Sequence, residues 1–340
     1  MKITPTKIHA GTFSAPYRVP FGWRRFIYDT GNRVFEIMDN LELRPCGTLA
    51  GFARKDELSG AAFHPQKEMA AYLTENGMAV SDFNGTILWE YKTPAAALLF
   101  SRNGEELWIA EKIDKDTLRV SVCDAYRGME NSVVAMKDPF YDSSLILYHA
   151  PGTVLMGLAA GQDGCAIWAL DDAEAVMKHR DVFPHKSFFI PAFHPDGGRL
   201  LDLENDEQLF YTYDWPAATL IARQRDFTEA KWNDEEGEAL PGFSLVYLKN
   251  GQAVVQSASY RFYLFDPEKM ARLEELVIDG FEPLPTKEIF PRLEDDESLC
   301  SQLVSLERMG DVLIARTGKE IKNQALLLFT EDELFRQIMQ

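Results

Sequence analysis

The sequence predicts an all-β fold, a β-propeller of seven blades with four antiparallel strands each. Two observations predict it. Seven strand-like segments, six of them ending in aspartate, recur at intervals that are mostly near 43 residues and lengthen to 52 and 64 at the end of the chain. An apolar strand with a Pro/Gly turn lies upstream in several units. A period of this length built from short strands is typical of propeller blades. A count of six blades with additional structure is the alternative.

The aspartate segments set the period. Their last residues are Asp39, Asp82, Asp124, Asp171, Asp214 and Asp266, and a seventh segment ends at Thr330 instead. Because each aspartate takes the same position in a different blade, the six carboxylates are expected to lie far apart. We therefore expect each one to accept backbone N–H groups in a turn and not to share a metal ion.

The upstream turns supply the first hairpin of a unit. Segments 61–65 and 192–198 both read as an apolar strand followed by Phe-His-Pro, and 98–104 and 246–251 end in Asn-Gly. Glycine after asparagine or aspartate provides the positive φ that tight hairpins need. Each unit thus reads as strand, hairpin, strand, loop, strand, aspartate turn, strand.

Two segments, 160–168 and 81–89, resemble sequence motifs of known propeller families. Residues 160–168 resemble the WD-repeat phrase of a polar loop before an isoleucine-tryptophan strand, and 81–89 resemble a PQQ-type hairpin with its leucine-tryptophan pair. YVTN-type propellers are related. The Gly-His and Trp-Asp dipeptides of true WD repeats are absent. The resemblance implies the fold and not the function, because propellers include enzymes and passive scaffolds.

The repeat predicts blade positions and one domain over 1–340. The first blade is expected from Ile8 to Leu49, and the others centre on 59–94, 95–135, 143–178, 186–225, 241–279 and 299–340. Thr330 and Glu333 have capping-box spacing, so 331–339 is expected to be a short helix. Residues 1–4 would then supply the missing strand and latch the ring.

Two acidic insertions interrupt the period, at 226–241 and 279–298. Residues 201–300 hold 22 acidic and 9 basic residues, most of the net charge of −18. Both insertions fall where the outer strand of one blade crosses to the inner strand of the next, so both are expected to border one face. Their partner-binding candidates are Trp232, Asp234, Glu235, Glu236, Glu238, Glu294, Asp295, Asp296 and Glu297.

These insertions suit a basic protein partner. A negative surface attracts a positive protein and speeds association in a salt-dependent way. Trp232 stands among carboxylates and fits an interface hot spot, although it fits an anchor for its own loop equally well. The alternative is that the insertions are solvated surface that maintains solubility.

No catalytic residue, metal site or cofactor is expected. Walker, Gly-x-Gly-x-x-Gly, HExxH, EF-hand and nucleophile-elbow motifs are absent. His64 and His194 are explained by repeat position. His179 and His185 flank Asp181 and suggest a two-histidine, one-carboxylate site, but a solvated loop is the preferred interpretation.

Composition excludes other classes and suggests a compartment. The acidity argues against nucleic acid, no apolar run reaches the length of a membrane span, and the first residues lack a signal-peptide core. The cysteines Cys46, Cys123, Cys165 and Cys300 form no CxxC pair, which favours reduced thiols in the cytoplasm.

The sequence therefore predicts a non-catalytic protein-binding propeller that acts as scaffold, adaptor or inhibitor. The alternative is a propeller enzyme of the lactonase, glycosidase or quinoprotein kind with a site in the central channel. The predicted innermost strands, such as 97–100 and 145–148, offer few carboxylates or histidines for such a site. A structural subunit of a larger complex is the third hypothesis.

Overall fold

The computed structural model contains seven antiparallel sheets of four strands in the part of the chain that it describes. That part comprises residues 1–14, 19–20, 22–52, 60–92, 95–159, 165–173, 176–182, 191–203, 210–223, 241–257, 262–281, 305–316 and 324–339. One sheet gains a fifth strand, and one short helix follows the last sheet. The prediction of seven four-stranded blades is confirmed.

The chain forms two compact units. One comprises Ser14–Lys186, here the central unit, and the other combines Met1–Phe13 with Ser187–Gln340, here the terminal unit. We number the blades in chain order.

The central unit carries blades 1 to 4. Blade 1 contains β3 (Phe13–Ser14), β4 (Phe26–Asp29), β5 (Arg33–Ile37) and β6 (Leu43–Thr48). Blade 2 contains β7 (Ala61–Phe63), β8 (Met69–Thr74), β9 (Gly77–Asp82) and β10 (Ile87–Tyr91). Blade 3 contains β11 (Ala95–Phe100), β12 (Glu106–Lys112), β13 (Thr117–Asp124) and β14 (Glu130–Lys137). Blade 4 contains β15 (Ser144–Ala150), β16 (Thr153–Ala159), β17 (Cys165–Ala173) and β18 (Val176–Asp181).

The terminal unit carries blades 5 to 7. Blade 5 contains β19 (Ala192–Phe193), β20 (Arg199–Leu203), β21 (Phe210–Asp214) and β22 (Thr219–Arg223). Blade 6 contains β23 (Pro241–Tyr247), β24 (Ala253–Ser257), β25 (Phe262–Asp266) and β26 (Ala271–Ile278), with β1 (Lys2–Ile3) added in parallel to β26. Blade 7 contains β27 (Ser305–Met309), β28 (Val312–Arg316), β29 (Ala325–Thr330) and, as its outer strand, β2 (Lys7–Ala10).

Consecutive blades of one unit share apolar layers. In the central unit, Phe26 of blade 1 and Phe83 of blade 2 lie edge to face with ring centroids 5.0 Å apart. In the terminal unit, Phe210 of blade 5 and Phe265 of blade 6 pack at 4.8 Å. Successive residues of a strand point to opposite faces of the sheet, so each middle strand contributes side chains to the apolar layers on both sides. Large buried aromatic side chains therefore hold neighbouring blades together.

The N-terminal segment corrects two predictions about blade boundaries. Residues 1–4 were expected to complete the last blade, but β2 does so, pairing antiparallel to β29 with Ile8 opposite Leu327. Ile8 therefore belongs to blade 7 and not to the first blade, whose innermost strand is β3. Lys2 and Ile3 pair instead with Val277 and Ile278 of blade 6.

The helix after blade 7 is confirmed. Helix α1 (Glu331–Ile338) begins at Thr330, whose side chain accepts a hydrogen bond from the N–H of Glu333. Its first turn is acidic, which suits the positive end of the helix dipole. Leu334 is buried with the apolar residues of blades 6 and 7.

Candidate partner-binding face

The predicted partner-binding residues lie outside the described part of the chain. They are Trp232, Asp234, Glu235, Glu236, Glu238, Glu294, Asp295, Asp296 and Glu297. The strands around them are described, however. The outer strand β22 ends at Arg223 before β23 begins at Pro241, and β26 ends at Ile278 before β27 begins at Ser305. Both acidic insertions therefore connect an outer strand to the next innermost strand, as predicted.

Strand direction fixes which sheet edge these connections join. In an antiparallel blade the fourth strand ends, and the next first strand begins, at the edge that also holds the turn between second and third strands. In the terminal unit this edge receives the connections 204–209, 224–240 and 282–304. They hold three, six and six acidic residues against none, two and two basic ones. The other turns there, 258–261 and 317–323, hold three basic residues and one acidic residue.

The described strand that leads into the second insertion is acidic as well. On β26, Glu274 is exposed and Glu275 is half-buried, and Asp279 follows the strand and is exposed. Lys2 Nζ lies 3.7 Å from the Asp279 carboxylate. The N-terminal ammonium of Met1 lies 3.1 Å from the Glu274 carboxylate, so both exposed carboxylates have a cationic neighbour. Ion pairs as exposed as these are weak.

Three of the repeat aspartates, Asp82, Asp124 and Asp266, accept backbone N–H groups in turns. Asp82 Oδ1 accepts the N–H groups of Asn84 and Thr86 at 3.0 and 2.8 Å. Its pKa lies below the usual value chiefly because of the Thr86 N–H. Equivalent pairs of bonds reach Asp124 Oδ1 at 2.9 and 2.8 Å and Asp266 Oδ1 at 3.0 Å each. These carboxylates have the predicted structural role.

Two other repeat aspartates differ. Asp171 was expected to end a strand, but β17 continues past it to Ala173, and Asp171 pairs with Lys178 of β18. The hairpin of blade 4 is therefore two residues longer than the repeat predicts. Asp39 lies in a turn, where Arg25 Nη2 donates to its Oδ1 at 2.6 Å.

His64 is a buried, neutral part of its hairpin. Its Nδ1 accepts the N–H groups of Gln66 and Lys67, both at 3.0 Å, so the proton lies on Nε2, 3.0 Å from the Tyr126 hydroxyl. Burial first, and then the Lys67 charge, lower its pKa to about 4. Gly104 of the next blade has φ +76°, and a Cβ there would lie 2.3 Å from the imidazole. Glycine is therefore required at position 104, where blade 3 contacts His64 of blade 2.

His194 occupies the equivalent position in blade 5. Its N–H donates to the Arg199 carbonyl at 2.8 Å, as that of His64 donates to the Met69 carbonyl. Its Nδ1 lies 2.7 Å from an Asp196 carboxylate oxygen, and its ring is edge-on to Tyr247. The repeat position thus explains both histidines, as predicted.

Sequence reasoning missed His149 of blade 4. Its Nε2 lies 2.8 Å from the Phe100 carbonyl of blade 3, and the Trp23 ring lies edge-on at 5.0 Å. Arg102 Nη2 donates to the neighbouring Ala150 carbonyl at 2.8 Å. These contacts join positions 48 to 126 residues apart, and the local pattern around His149 gives no sign of them.

The innermost strand of blade 7 differs from the apolar strands expected for this layer. On β27, Glu307 accepts a hydrogen bond from Arg316 Nη2 at 2.6 Å, and both side chains are buried. Arg308 Nη1 donates at 3.0 Å to Glu331 at the start of α1. Each of these charged groups has a partner of opposite charge, so removing one member of either pair would leave a charge with no partner in a poorly solvated site.

The remaining candidate ligands for a metal ion are histidine, cysteine and carboxylate side chains. Within the described residues, no three or more of these side chains form a cluster that could hold a metal ion. Cys46, Cys123 and Cys165 are free thiols. His185 and Cys300 lie outside the described residues, as does the side chain of His179.

Comparison with known proteins leaves the sequence family open but agrees on the fold. No protein-family model matches the chain, and no curated protein matches it. Among solved structures, the β-propeller domain of Cps50 (Swd1) from Myceliophteria thermophila matches with a TM-score of 0.58 and 10% identity. The match covers 96% of this chain and 98% of that one.

The fold is a seven-bladed β-propeller. At 10% identity the likeness establishes the propeller fold alone, so it does not distinguish WD-repeat from PQQ-type ancestry. Among the described residues, no helix of this propeller has the length and apolar character needed to cross a membrane.

Proposed function

We propose that this propeller is a non-catalytic protein-binding module that takes a basic protein partner through the acidic insertions at 226–241 and 279–298. One observation carries the proposal. Both insertions connect outer to innermost strands in neighbouring blades of one compact unit, so strand direction brings them to the same sheet edge.

The charge at this edge supports a basic partner. Carboxylates outnumber basic groups in the connections 204–209, 224–240 and 282–304. Such a surface attracts a positively charged protein during diffusional encounter. This attraction weakens as the salt concentration rises. Trp232, within the first insertion, is the proposed hot spot, because tryptophan is enriched among the few residues that carry most of the binding energy of an interface. Scaffold, adaptor and inhibitor roles all use such a face.

The proposal includes the cytoplasm as the location. The free thiols of Cys46, Cys123 and Cys165 fit a reducing compartment, where disulfides are rare.

The test begins by identifying a partner and then measures its affinity for charge variants. Affinity capture at low salt, followed by mass spectrometry, should identify a basic protein whose retention falls as salt rises. One variant neutralises Asp234, Glu235, Glu236 and Glu238, and a second neutralises Glu294, Asp295, Asp296 and Glu297. Each should weaken binding about tenfold or more at low salt.

A matched control variant neutralises four exposed carboxylates of the central unit, Glu42, Glu105, Asp114 and Asp116. It changes the net charge equally and should alter affinity less than about twofold. The proposal fails if the captured partner is acidic or insensitive to salt. It also fails if the control weakens binding as much as the insertion variants do.

A further inference from the structure

A groove of about 910 Å³ lies along blade 2 of the central unit. One wall is the segment 50–52 that follows β6, and the other comprises the turn after β8 and the outer strand β10. The lining follows β10 from Ile87 to Lys92, roughly 17 Å at about 3.3 Å per residue. A groove of this length accommodates several residues of extended peptide.

The wall at 50–52 is held in place by specific contacts. The Tyr72 hydroxyl donates to the Ala50 carbonyl at 2.9 Å, and Asn32 Nδ2 reaches the Phe52 carbonyl at 3.5 Å. The buried Phe52 ring lies edge-on to Tyr28 at 5.3 Å and to Tyr72 at 5.9 Å. The groove is therefore formed before any ligand arrives.

The lining combines apolar surface with two exposed carboxylates. Phe52 and the half-exposed Ile87 supply apolar atoms, and Glu75 and Glu90 supply the carboxylates. Neither carboxylate forms an ion pair with a described residue. Lys92 is the one cationic side chain among the described lining residues, so negative charge predominates.

The charge of Glu90 acts on the interior beside the groove. Burial, and in addition the Glu90 carboxylate, raise the pKa of Tyr72 above its usual value. The Tyr72 hydroxyl therefore remains protonated at neutral pH and keeps its hydrogen bond to Ala50. A cation bound at Glu90 would lie close to this supporting group.

We propose that this groove binds an extended peptide segment that brings a lysine or arginine side chain to Glu75 and Glu90 and an apolar side chain to Phe52 and Ile87. Charge complementarity selects a basic segment, because the two carboxylates lack cationic partners among the described residues. Alternating side chains of an extended peptide allow one strand of residues to meet both kinds of lining. The inference deepens the proposed function by adding a peptide-binding site for a basic protein. It rests on the proposed function only in taking the partner to be a protein.

The test uses a labelled peptide, Ser-Val-Lys-Val-Arg-Val-Ser, and measures binding by fluorescence anisotropy at low salt. The double variant Glu75→Gln and Glu90→Gln should bind it about tenfold more weakly than the natural protein does. The control Glu105→Gln and Asp116→Asn changes the net charge equally outside the groove and should bind within about twofold of the natural protein. Unchanged denaturation midpoints establish that both variants are folded.

A benzophenone-bearing form of the peptide locates the site directly. We expect crosslinks to Phe52, Ile87 or Tyr91, mapped by mass spectrometry. Equal binding by the two double variants, or crosslinks confined to 226–241 and 279–298, would overturn the groove assignment. The second result still agrees with the proposed function. Loss of peptide binding in the groove variant, together with a salt-insensitive partner, would instead retain the groove and reject the proposed function.

Discussion

His149 is a buried histidine whose surroundings hold it in the neutral form. Its Nε2 donates to the Phe100 carbonyl, and Arg102 bonds to the Ala150 carbonyl next to it. Burial first, and then the Arg102 charge, lower its pKa to about 4. A proton on Nδ1 would place a charge in a site with little access to water, so neutrality is a condition of this packing.

We predict that folding stability falls as the pH drops from about 7 to about 5. The unfolded chain protonates His149 near pH 6.5 whereas the folded protein does not, so acid stabilises the unfolded state. The expected loss is about 2 kcal/mol of unfolding free energy for this histidine. The loss of unfolding free energy due to His149 should reach its full size below about pH 4, where this histidine is protonated in both the folded and the unfolded state.

Urea denaturation of the natural protein and of His149→Gln at both pH values measures this contribution. The variant should lose about 2 kcal/mol less between the two pH values. His64→Gln is the matched comparison, because the pKa of His64 is also lowered to about 4. An identical pH dependence in the natural protein and in His149→Gln would contradict the prediction.

At the scale of elements, the N-terminal strand β2 is the component that completes blade 7. The Gly11 N–H donates to the Gln324 carbonyl at 2.8 Å, directly beyond the last residue pair of β2 and β29. Inward-facing N–H groups alternate along an antiparallel strand, so those of His9 and Lys7 also face β29. The N–H of Ile8 faces away from the sheet.

We predict that His9→Pro destabilises the protein by about 2 kcal/mol or more, since proline removes an inward donor from the ladder. Ile8→Pro is the control, because it removes an N–H that has no place in that ladder, and it should cost clearly less. Chemical denaturation of both variants measures the difference. Equal losses would show that β2 does not pair with β29 in this register.

At the scale of the molecule, the chain passes between its two compact units twice. It leaves the terminal unit after Phe13, forms blades 1 to 4, and returns at Ser187. Blade 7 needs β2 from before the first passage and β27 to β29 from after the second. The terminal unit is thus incomplete until both ends of the chain are present.

We predict that residues 1–340 unfold as one domain, in a single cooperative thermal transition. The physical reason is that loss of blade 7 frees both chain ends at once. Scanning calorimetry should give a calorimetric enthalpy equal to the van't Hoff enthalpy. Two separate transitions, or a fragment 14–186 that folds with the stability of the natural protein, would show two independent domains.

Much of the fold could be predicted from the sequence because its signals are local. Hairpins with Asn-Gly or His-Pro turns, and aspartates that accept N–H groups two to four residues onward, recur in several blades. The strands that the two insertions connect could be predicted from chain direction, whereas an acidic binding face and the role of its nine named residues remain predictions. The groove at Glu75 and Glu90 could not be predicted, because its walls come from segments on two different blades.

The sequence by itself determined the strands, their grouping into seven units and the concentration of negative charge between 201 and 300. Hydrogen-bonding turns and alternating apolar residues act over a few positions, so they can be recognised along the chain. Only the tertiary structure decided that β2 completes blade 7, that β1 extends blade 6 and that His149 meets Phe100. These contacts join residues 49 to more than 300 positions apart. Which sheet edge or carbonyl is available to such a distant residue depends on the packing of the whole fold.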